Sequence, residues 1–183
     1  MPKTEIETIL ELYEKPVLWA ALRAIGDNPN HELRVVRPYV EVGQVQNLDA
    51  ASLGVSVTEP GAIAPTDRMA HFTSHAGKWR FLKVYDRRIV RDYRTQANLF
   101  VALFVRQSLK SLKSLSYALA SDESQGEFFE AFQHIIRQLN GVWDILSADY
   151  KYGHVEEIPL TNPLLQFDPR YHVVLETWLS AGF

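Results

Sequence analysis

The stretch LFVALFVRQSLKSLKSLSYAL, from Leu99 to Leu119, places Leu99, Phe100, Leu103, Phe104, Leu109, Leu112 and Leu119 at helical spacing. It predicts one long amphipathic helix. A turn is expected at Ser121-Asp122-Glu123, after which Ser124 and Glu127 have the form of a capping box. The helix that follows presents Phe128, Phe129, Phe132, Ile135, Ile136, Leu139 and Trp143 on one face. Two apolar-faced helices joined by so short a connection should pack as an antiparallel hairpin. Asp168-Pro169 is a further helix start, an N-cap with proline at the first helical position, before Tyr171, Val174, Leu175 and Trp178.

Upstream of this hairpin the period is mixed. Thr4 and Glu7 suggest a capping box opening a helix that carries Ile6, Ile9, Leu10 and Tyr13. Pro16 restarts the chain as a second helix with Leu18, Trp19, Leu22 and Ile25, and Gly26 is the expected C-cap. From His31 onward Leu33, Val35, Val40 and Val42 read as short extended pieces, with Pro38 at an edge or bulge. Leu53 to Val57 is a candidate strand, and Glu59 to Ala76 reads as a long loop. Lys78 to Tyr85 alternates as a strand, with Trp79, Phe81 and Tyr85 on one side and Lys78, Arg80 and Leu82 on the other. Helix is expected beyond it. The expectation is an α+β fold in one domain, residues 1–183, with a mixed part to residue 92 and a mainly helical part from 93.

Composition excludes several chemistries. With no cysteine there is no disulfide, Cys-ligated zinc, iron–sulfur cluster or thiol nucleophile. The longest greasy run, Leu99 to Val105, stops at Arg106, too short for a membrane span. No secretory leader is read at Met1, so the cytoplasm is the expected compartment. No phosphate-binding loop is present, since Phe72 stands where its first glycine belongs relative to Gly77-Lys78. His71 and His75 have the spacing of helical zinc ligands but lack the intervening glutamate, and Gly, Ser and Thr around them favour a polar loop. No Glu-x-Lys occurs, and Asp149-Tyr150-Lys151 lacks an acidic partner with a strand pattern around it. Neither a metal-dependent nuclease centre nor a bound cofactor is expected.

Charge distribution is the positive signal. Lys78 to Lys113 holds ten of the nineteen Lys and Arg residues and two acids, so it carries +8 while the remainder carries −11. Arg87, Arg88, Arg91 and Arg94 cluster. Arg106, Lys110 and Lys113 fall on one stripe of the long helix, which the spacing sets opposite Leu103 and Phe104. Such a band suits an acidic protein surface or a polyanion, with a plain solvated helix face as the alternative, and Asp86 and Asp92 can pair with neighbouring arginines.

The segment Tyr93-Arg94-Thr95-Gln96-Ala97-Asn98-Leu99-Phe100-Val101-Ala102-Leu103-Phe104 resembles the opening of a long helix in a bacterial family. That family is the domain preceding PD-(D/E)XK nucleases in McrC-like restriction and defence proteins. Tyr93, Thr95, Asn98, Phe100, Val101 and Phe104 match its pattern, whereas Arg94, Ala97 and Ala102 depart from it. Asn162 to Tyr171, with Gln166 and Tyr171, is similar to a later segment of the same family that leads into a helix with tryptophan, here Trp178. The resemblance implies a non-catalytic adaptor without its own nuclease, engaging an AAA+ NTPase or nuclease subunit. A small DNA- or RNA-binding module using the basic band is the alternative expectation.

Overall fold

Helix α4, Gln96–Leu119, runs through the middle of the helical core in the computed structural model, which describes residues 3–120, 126–149 and 160–182. Phe100, Val101, Phe104, Val105 and Leu112 along it are buried, on a face so broad that two neighbours cover it. One neighbour is α5, Gly126–Asp149. Each helix of 24 residues is about 36 Å long at 1.5 Å per residue. The chain from Leu119 to Gly126 can span only about 25 Å, so two packed helices so joined must run antiparallel. The expected hairpin is therefore present, tied by a 2.7 Å hydrogen bond from Gln133 Nε2 to Ser116 Oγ. The second neighbour is α7, Pro169–Ala181, preceded by the short α6, Pro163–Phe167. Trp178 of α7 meets the Phe100 ring edge-on at 5.5 Å. Asp168 caps α7 as read from Asp168-Pro169, its carboxylate accepting the Arg170 N–H.

The N-terminal helices, α1 (Lys3–Tyr13) and α2 (Pro16–Asp27), belong to the same core. Tyr13 is buried and donates its hydroxyl to Ser108 Oγ of α4 at 2.9 Å, and burial pushes its pKa up. The chain as a whole forms two compact units: a helical unit of residues 1–32 and 93–183, and a β unit of residues 33–92 inserted between α2 and α4. The division expected at 92/93 is one of the two crossings, and the other falls at 32/33.

The β unit is built from short strands. β1 (Glu32–Val36) pairs with β7 (Arg88–Asp92), and β2 (Tyr39–Glu41) pairs antiparallel with β6 (Lys83–Tyr85). β3 (Ile63–Pro65) and β4 (Phe72–Ser74) flank β5 (Gly77–Phe81) on either side, both antiparallel to it. Two 3-10 turns, Val42–Gln44 and Ala50–Ser52, and a short helix, α3 (Leu53–Thr58), complete it. The sheets together with the helices give the α+β class expected.

Several local expectations are corrected. Thr4 is inside α1 rather than its N-cap, its carbonyl already accepting the Thr8 hydroxyl. Gly26 is helical, not a C-cap: α2 continues to Asp27 and ends at Asn28, where the following Pro29 forbids further helix. The glycine serves close packing, since a Cβ there would lie 3.3 Å from Ile145 of α5. Leu53 to Val57 is helix α3 rather than strand. Asp49 accepts from both the backbone and the hydroxyl of Ser52, and that turn starts the helix despite two β-branched valines. The supposed loop from Glu59 to Ala76 contains β3 and β4, three residues each and too short to show a period. Helix does not follow Tyr85 directly, because Arg88–Asp92 forms β7.

The strand read across Lys78 to Tyr85 is interrupted by a bulge. Leu82 N and Lys83 N both donate to Ala62 O, at 2.7 and 3.2 Å. One extra residue flips the facing, so Val84 rather than Lys83 turns inward after Phe81. The turn expected at residues 121–123 and the Ser124 capping box lie outside the described residues.

Leu103 is only half-buried, for a geometric reason. It stands three residues before Arg106 and therefore shares that side of the helix, while Phe104 lies opposite and is fully buried. Phe132→Ala should accordingly cost ~3–5 kcal/mol, and Leu103→Ala clearly less. Urea denaturation of both variants measures this, and equal losses would mean the stripe at Leu103 is buried after all.

Candidate functional site

The resemblance motif forms a buried hydrogen-bond network at the point where the β unit is inserted. Thr95 is the N-cap of α4 and accepts from Asn98 N. Asn98, fully buried, donates its Nδ2 protons to Asn30 O and to Tyr93 O, each at 2.7 Å. Asn30 precedes the insertion and Tyr93 follows it. Both acceptors are 2.7 Å from one nitrogen, so they can be no more than 5.4 Å apart. Tyr171 donates its hydroxyl to Asn98 Oδ1 and accepts the Asn30 N–H at 3.0 Å. Burial raises the Tyr171 pKa, which keeps this donor protonated. The rings of His31 and Tyr93 pack at 5.6 Å beside the network. Phe100 belongs to the core. Gln166 does not join the network; it is exposed, and its side chain donates to Leu160 O. The two similar segments, far apart in sequence, thus meet through Asn98 and Tyr171.

Arg170 extends the same corner. Its Nη1 donates to Asn28 O at 2.9 Å while Nη2 pairs with Asp168 at 2.8 Å. The Arg170 guanidinium holds the Asp168 carboxyl below its usual range, and Asp168 raises the pKa of Arg170 in return.

The basic band is divided between the units. Lys78, Arg80, Lys83, Arg87, Arg88 and Arg91 lie in the β unit, and Arg94, Arg106, Lys110 and Lys113 in the helical unit. Arg87, Arg91, Arg94, Arg106, Lys110 and Lys113 are exposed. Arg88 is engaged internally. Its Nε sits 2.6 Å from Asp86 Oδ2, and Asp86 is fully buried. The same carboxylate accepts from the backbone N–H of Asn47 at 2.6 Å and of Gln46 at 3.3 Å. Burial alone would raise the Asp86 pKa. The bonds from Arg88, Asn47 and Gln46 outweigh that and leave it below the ordinary carboxylate range. Asp92, the band's other acid, lies 3.5 Å from Arg34.

A second anchor of this kind joins Asp49 to Ser52 Oγ and Arg37 Nε, both at 2.7 Å. Ser52 and Arg37 lower the Asp49 pKa against the effect of burial. Such polar ties matter because the β unit has little else inside: its only buried apolar residues are Ala62 and Val84.

His71 and His75 are not on a helix. β4 separates them, and His75 lies in the turn whose last residue, Gly77, has φ 119°. His71 Nδ1 accepts the Phe81 N–H at 2.9 Å, and its ring packs on Phe81 at 5.9 Å. Among the described residues no group of three or more His, Asp or Glu is placed to hold a metal ion. Of Asp149-x-Lys151, the lysine and the Asp149 side chain lie outside the described residues.

An open cavity of about 410 Å³ in the β unit escaped the sequence reading. Val42, Val45, Leu48, Leu53, His71, Phe81 and Val84 line it. They come from five separate segments with no common period, so no one-dimensional signal could assemble them. The β1–β7 ribbon is also exposed, with Leu33 at 70% and Ile89 at 64% exposure. No family model, curated protein or solved structure matches this chain.

Asn98→Ala leaves Asn30 O, Tyr93 O and the Tyr171 hydroxyl without a partner and should cost roughly 2–4 kcal/mol. Thermal or denaturant unfolding measures it; a loss under about 0.5 kcal/mol would mean water replaces the amide. The Asp86 anchor predicts a pH dependence. A carboxyl whose folded pKa lies below its unfolded value of about 3.9 stabilises above that pH and loses the contribution as pH falls through the folded pKa. Amide exchange at Gln46 and Asn47, corrected for intrinsic rate, should therefore lose protection on acidification below about pH 4. In Asp86→Asn it should already be low at neutral pH. Protection that is flat with pH would count against the anchor.

Proposed function

We propose that this chain is a non-catalytic adaptor in which a helical scaffold presents the inserted β unit to a protein partner. The carrying observation is the imbalance of that unit. Ten of its large apolar side chains are at least one-third exposed, among them Leu33, Leu48, Val55, Met69 and Ile89, while only Ala62 and Val84 are buried apolar residues. Apolar surface concentrated in this way favours association. The partner class comes from the resemblance: an AAA+ NTPase or nuclease subunit of a bacterial nucleic-acid-targeting defence or restriction complex. The exposed cations Arg87, Arg91, Arg106, Lys110 and Lys113 would then steer encounter more than they add affinity. The sequence supports a non-catalytic role through its missing Glu-x-Lys and its lack of a thiol nucleophile.

The nucleic-acid reading keeps one specific observation in its favour. Trp79, Phe81 and Phe72 share a face of the β3–β5–β4 sheet, with Lys78 and Arg80 on the other. Aromatic side chains sharing one sheet face offer stacking platforms of the kind that hold single strands.

The tagged chain as bait in its native cell should retain an AAA+ NTPase or nuclease subunit. Leu33→Ser with Ile89→Ser should reduce that retention without lowering the melting temperature, since both side chains are mostly in water. Changing Arg106, Lys110 and Lys113 together to Glu should also leave the fold intact and slow association. Retention unaffected by the ribbon variants would remove the β unit from the interface. Recovery of nucleic acid alone, with affinity falling steeply with salt, would favour the alternative.

A further inference from the structure

We infer that the open cavity of the β unit is a docking pocket for an acidic peptide segment anchored by one bulky apolar side chain. The inference rests on the adaptor reading and specifies the chemistry of what docks. Its first ground is the lining. Six of the seven residues, Val42, Val45, Leu48, Leu53, Phe81 and Val84, are apolar, and no Lys, Arg, Asp or Glu lines the space. A volume of about 410 Å³ lies within the range of preformed ligand pockets. Val42 and Leu48 are 37% and 46% exposed, so the mouth is open to solvent rather than sealed as a packing defect.

The second ground is the single polar member. The Phe81 N–H donates to His71 Nδ1, which makes that nitrogen the unprotonated one and puts the neutral ring's proton on Nε2. Stacking on Phe81 holds the ring in place. One oriented donor on an aliphatic wall suits a peptide carbonyl alongside an apolar anchor.

The third ground is charge. Residues 33–92 carry nine Lys and Arg against six Asp and Glu, whereas the rest of the chain carries ten against sixteen. Three of those six acids, Asp49, Asp86 and Asp92, face Arg37, Arg88 and Arg34 within the unit. The unit as a whole therefore carries a net +3, and an acidic segment is the one such a field attracts. A nucleic acid would meet the same field, but the pocket offers aliphatic walls where phosphates need donors.

Random dodecapeptides displayed on phage should be panned on the full chain, and an enriched peptide labelled for fluorescence anisotropy. Enriched sequences should share a bulky apolar residue flanked by Asp or Glu. Binding should weaken about tenfold or more in Leu48→Glu and, separately, in Val42→Ser, as loss of an anchor contact does. Both substituted side chains reach solvent, and unchanged amide spectra of the helical unit and of β5 would show that the fold persists. No enrichment, enrichment of basic or wholly polar sequences, or binding indifferent to both variants would overturn the pocket. So would an enriched peptide that a labelled oligothymidylate displaces equally from wild type and Leu48→Glu. If the AAA+ or nuclease subunit is still retained by Leu48→Glu and Val42→Ser, the adaptor reading stands and this pocket is not its docking point. If peptides bind as expected but no such subunit is retained, the pocket stands and the partner class fails.

Discussion

The amide of Asn98 is the constraint on which the arrangement of the helical unit depends. A sixty-residue insertion between two helices of one core threatens that core on either side, because the chain must leave and return without unravelling α2 or α4. One buried side chain closes both ends by holding the carbonyls of Asn30 and Tyr93 on the same nitrogen. Tyr171 completes the amide on its oxygen side and takes up the Asn30 N–H, which brings α7 into the same network. The Asn98 amide, the Tyr171 hydroxyl and the Asn30 N–H all have partners, the condition under which a buried network stabilises rather than costs. Because closure happens inside the helical unit, the insertion itself is freed from maintaining the core.

That freedom shows in how differently the two units are held. The helical unit has a continuous apolar core from Ile6 to Leu175, with Tyr13, Phe100, Phe104, Phe132 and Leu139 fully buried. The β unit has hardly any. Its shape relies on carboxylates that gather loops, Asp86 on Gln46, Asn47 and Arg88, and Asp49 on Ser52 and Arg37. Polar anchors of this kind fix geometry while leaving apolar side chains available. They also set Arg88 apart from Arg87 and Arg91: its guanidinium is paired with a fully buried carboxylate and helps keep it charged.

Legibility followed the length of the elements. The long helices could be read because a 3.6-residue period repeats many times between Leu99 and Leu119 and between Phe128 and Trp143, so single exceptions do not obscure it. Strands of three residues repeat nothing, and β3 and β4 vanished into an apparent loop. The bulge at Leu82 exchanges the faces of the strand beyond it, because a single extra residue shifts the alternation by one. Leucine at helical spacing reads as core, yet counting along the helix sets Leu103 beside Arg106, where it is only half-buried. Gly26 has the look of a cap, but its missing Cβ admits Ile145, a contact more than a hundred residues away in sequence.

The sequence by itself determined the class, the hairpin, the α7 start at Asp168-Pro169, the absence of thiol chemistry and the uneven charge. Each of these depends on local period, local capping or simple composition. The tertiary structure alone decided that α1 and α2 join the C-terminal helices, and that the basic residues are shared between two bodies. It also decided that Asn98 and Tyr171 form one network, and that five separate segments enclose a cavity. These are relations between residues distant along the chain, set by which surfaces bury against each other, and no local pattern encodes them.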